Sequence, residues 1–399
     1  MFISLNWVRD FVDLPADVDP RELAEQFTIV TAEVEGIEHI QCEAAGLVAA
    51  EILSVAPIPG TERMYAVRAS LGAAGEVDTV TIAEGLKAGD RVIFAPVGAV
   101  LPQVGTVTKR QAAGRTSEGM IVPGDALRLS TVGQRAVWLP PSVAAGSPID
   151  LREFDDWVIE VDNKSITHRP DLWGHYGIAR ELAAIYGRSL KPYPVVPVKE
   201  LDDPSLPEIP IVIDDPVKSP RYSALRFTGV RPQPAPLWMQ VRLAHVGLRP
   251  IDVLVDLTNY LMLGFGRPAH AYDLAQLSGA VVARKARDGE TVLALNGKEY
   301  SLDAGMTVIA DEAGVHDVAG IMGGEHSGCT EATADVLLEV AYFDPEAIAA
   351  TGRALNLTSD ARSRFERGVD PLFLDTGLEM LTRLILETCG GEASEVVRA

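Results

Sequence analysis

Two ionisable side chains stand in unusual sequence surroundings. His270 lies in "GFGRPAHAYDL", after an apolar run and shortly before Asp273. A near-neutral imidazole can orient or deprotonate water, although a lone histidine is more often a hydrogen-bonded core or surface residue. Glu339 lies inside the apolar run "VLLEVAYF". On one strand face it would simply meet solvent, whereas a buried carboxylate needs a partner and, without one, is an acceptor for a ligand.

A glycine pair and a charged segment are weaker candidates. Gly323 and Gly324 lie in "IMGGEHSG" and are followed by Glu325 and His326. Backbone without side chains lets a ligand approach closely, but a tight turn is the commoner explanation, and we expect Glu325 and His326 only to shape the loop. The segment "LTSDARSRFERGVDP" concentrates charges of both signs, and a charge-paired loop explains some of them.

The elements that must position these residues follow from the turn spacing. From about Gly46 to residue 145, short β-rich runs are separated by Gly, Pro and Asp, which predicts a small barrel or sandwich. Helical spacing over residues 172–186 ends at Gly187, a suitable cap. Residues 192–210 are Pro-rich and predict a linker. A second β-rich set and closing helices follow, so the predicted class is α+β.

Size and charge limit the possible functions. The 399 residues predict two to four domains, and 47% apolar with 23% charged residues is ordinary for a soluble globular protein. The formal net charge is −21. An acidic chain repels polyanions, so nucleic acid would have to bind through a local basic patch, and weakly if the chain acts alone.

The cysteines and the amino-terminal residues indicate the compartment. Cys42, Cys329 and Cys389 are far apart and form no C-x-x-C pair, which argues against a disulfide framework and a thiolate metal site. The start "MFISLNWVRDFVDLP" lacks the pattern of a signal peptide, and no apolar run approaches membrane-spanning length. We therefore expect a cytoplasmic protein with no metal, no cofactor and no membrane partner. P-loop, G-x-S-x-G and H-E-x-x-H signatures are missing from the sequence.

Four segments in register carry a family resemblance. "VDLTNYLMLGFGRPAHAYD", "IMGGEHSG", "VLLEVAYF" and "SDARSRFERGVDP" occur in that order and resemble the B3/B4 region of the bacterial phenylalanyl-tRNA synthetase β subunit. "ISLNWVRDFVDLP" and "HRPDLWGHYGIARELAAIYGR" resemble the same family, and residues from about 50 to 123 are similar to its B2 module. The resemblance implies an oligonucleotide-binding-type β-barrel module plus a larger mixed α+β B3/B4-like domain.

The implied domains are a B1-like unit at residues 1–40 and 146–195, a B2-like barrel at 41–145, and a B3/B4-like editing domain at 196–399. The chain departs from the family at "TIAEGLKAG", where a Cys-Gly-Ala-x-Asn stretch is usual, and at Ser359, where Thr is common. The first departure puts generic tRNA binding by the barrel in doubt, and the second would enlarge the pocket slightly.

The resemblance also implies residue roles. Glu339 matches the acceptor for a tyrosine phenol, His270 a pocket histidine, and Arg249 a cation near the tRNA end. The remaining positions match pocket-lining or pocket-limiting residues: Thr258, Asn259, Gly323, Gly324, Ser359 and Ala361.

The implied function is hydrolysis of tyrosine wrongly esterified to phenylalanine tRNA, without aminoacylation by this chain alone. The implied partners are aminoacyl-tRNA, an aromatic amino acid and, if the chain is a fragment, a synthetase α subunit. A freestanding relative, a non-catalytic binding or assembly module, and a pathway enzyme that kept the fold remain alternatives.

Overall fold

The computed structural model describes residues 1–15, 17–102, 104–129, 131–193, 195 and 209–399. The Pro-rich segment predicted as a linker therefore lies mostly outside the described residues. None of the helices in the described ranges combines the length and apolar character needed to cross a membrane.

The amino-terminal elements begin at clear capping residues. Ser4 accepts a hydrogen bond from the Trp7 amide, and Asp19 accepts one from the Arg21 amide with Pro20 at the first helical position. Both arrangements satisfy amide groups that a helix start leaves free. The elements are β1 (Phe2–Ser4), α1 (Leu5–Arg9), α2 (Pro20–Val30) and β2 (Val34–Ile40).

The next module is a nearly closed barrel, as predicted. Its strands follow the order β11–β6–β3–β4–β5, with β12 beside β6 and β13 beside β3. The Glu118 amide donates to the Asp78 carbonyl at 2.8 Å and joins the two ends of the sheet. The strands are β3 (Leu47–Pro57), β4 (Tyr65–Ser70), β5 (Glu76–Thr81), β6 (Arg91–Pro96), β7 (Val100–Leu101), β8 (Gly105–Thr106), β9 (Arg110–Ala112), β10 (Arg115–Ser117), β11 (Gly119–Ile121), β12 (Trp138–Leu139) and β13 (Pro148–Ile149).

After the barrel the chain returns to the amino-terminal sheet. Strand β14 (Asp156–Val161) lies between β1 and β2, antiparallel to both. Helix α3 (His175–Ile185) follows. Gly187 then takes a positive φ of 59°, and the Arg188 amide donates to the Ala183 carbonyl at 2.8 Å. This is the glycine-assisted helix end that the sequence predicted.

Among the described residues, the carboxyl-terminal part contains five helices, two larger sheets and the two-stranded sheet β19–β20. One sheet has the order β15–β18–β21–β22–β23 and the other β17–β24–β16–β25. The elements are β15 (Ile211–Ile213), β16 (Arg221–Thr228), α4 (Leu237–His245), α5 (Val253–Phe265), β17 (His270–Asp273), β18 (Val281–Lys285), β19 (Thr291–Leu293), β20 (Glu299–Ser301), β21 (Thr307–Ala310), β22 (Val315–Val318), β23 (Met322–Gly323), β24 (Val336–Tyr342), α6 (Pro345–Ala354), α7 (Asp360–Phe365), α8 (Leu374–Cys389) and β25 (Glu392–Arg398).

The four-stranded sheet separates two apolar cores. Leu338 and Val340 of β24 pack with α5, α8 and the amino-terminal helices. Leu337 and Ala341 point the other way, into the core shared with the five-stranded sheet. Because both faces are buried, β24 appears in the sequence as a continuous apolar run. The fold is α+β, and its amino-terminal and carboxyl-terminal parts share the first core, whereas the predicted domain boundaries stay a prediction.

Candidate functional site

His270 and Glu339 lie directly opposite each other on adjacent strands. β17 runs antiparallel to β24 with His270 paired to Glu339, and directly paired residues project from the same face of a sheet. The face is the one covered by the five-stranded sheet. Glu339 is 6% exposed and the His270 side chain 24%, so the pair lies at the edge of a core and not inside it.

Glu339 is held by two buried tyrosines. The Tyr222 hydroxyl donates to its Oε2 at 2.6 Å, and the Tyr272 hydroxyl lies 2.8 Å from the same oxygen. Among the described residues, no group donates to Oε1. Burial, followed by the charge of Asp317, raises the pKa of Glu339. One carboxyl oxygen is thus fixed by the protein and the other remains available as an acceptor.

His270 has a ring nitrogen without a partner. Its Nε2 is buried and makes no hydrogen bond to the described residues, and Asp317 Oδ2 lies 3.8 Å away, beyond hydrogen-bond distance. The ring packs edge-on against Tyr272, with centroids 4.5 Å apart. A buried polar atom without a partner is costly, and here it marks a place where water or a ligand group fits.

Gly323 and Gly324 are required by close contacts within the protein. A Cβ on Gly323 would lie 2.6 Å from Cε1 of His270, and one on Gly324 would lie 2.1 Å from the His316 carbonyl oxygen. The Gly324 amide donates to Asp317 Oδ1 at 3.0 Å. Gly323 therefore forms a wall beside His270 and makes room for that ring, whereas Gly324 makes room for the neighbouring backbone of His316.

Ser359 holds the backbone that leads into Gly323. Its hydroxyl donates to the Ile321 carbonyl at 2.6 Å and accepts from the Arg362 amide at 2.9 Å as the cap of α7. Ala361 lies in the first turn of the same helix and is partly exposed.

Thr258 and Asn259 lie on α5, which packs against the sheet face opposite to Glu339. The Thr258 hydroxyl donates to the Val255 carbonyl at 2.8 Å within the helix. The structure does not bring these two residues together with Glu339 on one face.

Arg249 is also placed elsewhere. It is exposed and lines a cavity of about 720 Å³ between the barrel and the carboxyl-terminal part, together with barrel residues such as Lys87 and Arg91. Three of the predicted residues, His270, Glu339 and Gly323, therefore come together, and Arg249 borders a separate cleft.

The weaker candidates have structural roles or remain at the surface. Glu325 and His326 are exposed. Arg364 is buried, donates to the Trp173 carbonyl at 3.0 Å and pairs with Asp360 at 3.2 Å. The charges of "LTSDARSRFERGVDP" are thus largely paired with one another, as expected of a charge-paired segment.

Three residues of the site were not predicted from the sequence: Tyr222, Tyr272 and Asp317. Tyr272 follows His270 by two positions and so shares its strand face. Asp317 lies in the short β22 strand "VHDV" between His316 and Val318, a more polar setting than the apolar run that singled out Glu339. Tyr222 comes from β16, and only the pairing of strands brings it to Glu339.

Comparisons with known proteins agree with this architecture. Residues 218–390 match the B3/4 domain family. The chain is 48% identical to the phenylalanine–tRNA ligase β subunit of Novosphingobium aromaticivorans, an alignment that covers 100% of this chain and 49% of that protein. It is 42% identical to the corresponding subunit of Paramagnetospirillum magneticum, over 100% of this chain and 50% of that protein. The chain is related to the phenylalanine–tRNA ligase β subunit over its whole length.

The chain spans about half the length of the curated β subunits it matches. Among solved structures, an N-terminal fragment of the Pyrococcus horikoshii phenylalanyl-tRNA synthetase β subunit aligns with a TM-score of 0.34 and 16% identity, covering 61% of this chain and 67% of that one. The His270–Glu339 site, from β17 to β24, lies wholly inside the B3/4 domain.

Proposed function

We propose that this β-subunit-like chain is an editing hydrolase, which cleaves tyrosine wrongly esterified to phenylalanine tRNA. The observation that carries the proposal is Glu339, a buried carboxylate with Oε2 bound to two tyrosines and Oε1 unbound by the described residues. It lies opposite His270, whose Nε2 has no hydrogen-bond partner in the described part of the chain. One fixed carboxyl acceptor beside one free ring nitrogen suits recognition and hydrolysis of an amino-acid ester.

The proposed selectivity has a physical basis. Tyrosine differs from phenylalanine by one hydroxyl, and an apolar amino-acid pocket rejects an added hydroxyl poorly. Glu339 Oε1 accepts a hydrogen bond from the phenol, and phenylalanine leaves this buried oxygen unpaired. Such a loss corresponds to about 1.5–3 kcal/mol when the acceptor is charged.

The proposed chemistry needs one base and one water. His270 Nε2 takes a proton from a water molecule whose oxygen attacks the ester carbonyl carbon. The carbonyl–oxygen ester bond then breaks, and the leaving ribose oxygen of the tRNA takes up a proton. The products are free tyrosine and tRNA with a free hydroxyl, so the hydrolysis is complete with water and needs no cofactor.

The proposal also assigns a role to Arg249 and names tRNA and an α subunit as partners. An exposed arginine beside a cleft suits a tRNA phosphate. The chain would bind tRNA weakly alone, because its net charge is −21, and would aminoacylate only with an α subunit and the remaining β-subunit domains. A cytoplasmic location follows from this function.

The test is a deacylation assay with tyrosyl-tRNA and phenylalanyl-tRNA in parallel. The parent chain should hydrolyse the tyrosyl ester faster, and Glu339→Ala should reduce that preference about tenfold or more, since one charged hydrogen bond is lost. Tyr300→Phe is a matched control, because among the described residues its hydroxyl bonds the Asn296 amide, in the turn before β20, and no group of the site.

A non-catalytic binding or assembly module is the second candidate. It is favoured by the occupation of Glu339 Oε2 by the protein's own tyrosines and by the placement of Arg249 in a separate cleft. Equal deacylation of both esters at the background rate, by the parent and by Glu339→Ala, would support this candidate and reject the hydrolase.

A further inference from the structure

Three oxygen–oxygen contacts form a continuous buried network behind the proposed site. Tyr222 contacts Glu339 Oε2 at 2.6 Å, Tyr272 contacts the same oxygen at 2.8 Å, and the Tyr272 hydroxyl also forms a short contact with Asp317 Oδ2. Each contact needs one hydrogen between its two oxygens. The two phenols supply only two hydrogens, because a hydroxyl carries one. The third must belong to a carboxyl group.

Two arrangements satisfy this count. In one, Asp317 Oδ2 carries the proton and donates to the Tyr272 oxygen, which donates to Glu339. In the other, Glu339 Oε2 carries it and donates to Tyr272, which donates to Asp317. In both, Oε1 of Glu339 remains an acceptor, and the two arrangements interconvert by moving protons along the Tyr272 bridge.

The surroundings favour one proton shared by the pair. Glu339 and Asp317 are 6% and 5% exposed, and within the described ranges neither has a lysine or arginine within 4 Å. The basic side chains that face them are His270 from β17 and, farther away, Arg267, whose guanidinium donates to the Ala341 and Asp370 carbonyls. Two adjacent buried anions without a close cation are unfavourable, so the surroundings favour one proton between the two carboxyl groups.

We infer that Asp317 is a positioning residue of the site, which shares one proton with Glu339 through the Tyr272 hydroxyl and so fixes Glu339 with Oε1 as its free acceptor. Asp317 Oδ1 also accepts a hydrogen bond from the Gly324 amide. The Asp317 side chain thus fixes both the orientation of the Glu339 carboxyl group and the position of the glycine backbone beside His270. The ligand that uses Oε1 rests on the proposed function, whereas the shared proton does not.

Infrared spectroscopy of the full chain tests the proton count directly. Chains with isotope-labelled Asp and Glu carboxyl groups are compared at pH 7, where a protonated carboxyl has its own carbonyl band. Asp317→Asn and Glu339→Gln should each remove the band of one protonated carboxyl, since either amide supplies a permanent N–H donor to Tyr272 in place of the shared proton. The double variant should lose that same single band and no more, while Tyr300→Phe should lose none.

Three results would overturn the inference. No loss in either single variant would mean that both carboxyls are ionised. Loss in only one single variant would mean that the proton belongs to that residue alone, and loss of two bands in the double variant would mean that each carboxyl has its own. The two single variants decide the question even where the double variant does not fold.

The deacylation assay provides an independent arm. Asp317→Ala should slow hydrolysis of both esters about tenfold, because Tyr272 and the Gly324 amide lose a partner. Asp317→Asn should stay within about threefold of the parent and keep its preference for tyrosine, because the amide still bonds Tyr272. Equal effects of Ala and Asn would reject the positioning role. A parent chain without hydrolase activity would reject the proposed function and leave the infrared result standing.

Discussion

His175 and His270 each begin an element that packs against α5, yet their chemical situations are opposite. His175 is fully buried, and both ring nitrogens are bonded: Nε2 accepts from the Ser4 amide at 3.1 Å, and Nδ1 donates to the Leu263 carbonyl at 2.7 Å. Its ring stacks on Trp7 with centroids 4.0 Å apart. Burial lowers its pKa to about 3, so it stays neutral.

His270 is partly exposed, and its buried Nε2 has no partner among the described residues. A carboxylate lies 3.8 Å from that nitrogen and a second lies on the paired strand. The comparison teaches that residue type alone does not separate structure from function here. The difference is whether each ring nitrogen already has a hydrogen-bond partner.

The largest expected effect is on catalysis at His270. His270→Ala should lower kcat/KM for both aminoacyl esters by about 10²–10⁴, the usual range for losing a general base. The Tyr/Phe ratio should change little, because the imidazole acts on water and the ester and not on the side chain. Deacylation rates from single turnovers check this, and an unchanged rate would remove His270 from the reaction.

His175→Ala should instead act on stability. Losing two buried hydrogen bonds and a stacked ring should lower the free energy of unfolding by roughly 2–5 kcal/mol. Urea denaturation followed by circular dichroism measures this loss, with His270→Ala as the matched comparison that should lose less than 1 kcal/mol. Similar losses in both variants would erase the distinction between the two sites.

The pH dependence of stability should identify His175 separately. Its imidazole stays neutral in the folded protein, while in the unfolded chain it takes up a proton below about pH 6.5. Its contribution is therefore complete above pH 6.5 and declines as the pH falls, by about 2 kcal/mol at pH 5. Unfolding free energies at pH 7.5 and 5.0 should show this decline in the parent and not in His175→Gln. Parallel pH curves would contradict it.

Arg249→Ala should give the smallest effect. We expect weaker tRNA binding, a salt dependence of log K reduced by about one phosphate contact, and no change in the Tyr/Phe ratio. Filter binding at several salt concentrations measures the slope. A lower ratio of tyrosyl-ester to phenylalanyl-ester hydrolysis would instead show that Arg249 acts on the His270–Glu339 pair.

The sequence by itself determined the kind of fold and the central pair. Turn residues at regular spacing predicted a barrel or sandwich, and the acid inside "VLLEVAYF" left two possibilities, a glutamate on a solvent-facing strand face or a buried carboxylate. The order of four motifs then connected Glu339 with His270. All of this information is local, or repeats along the chain at short range.

Only the tertiary structure decided what surrounds that pair. Tyr222, Tyr272 and Asp317 come from three different strands, and strand pairing across more than 100 residues between Tyr222 and Glu339 leaves no trace in local spacing. The requirement for Gly323 also depends on where the His270 ring packs. The family resemblance made Arg249 a cation near the tRNA end, and only the structure shows that the turn between α4 and α5 directs it to the barrel cleft. Hydrogen-bond satisfaction is a property of packed atoms, and it is what separates His270 from His175.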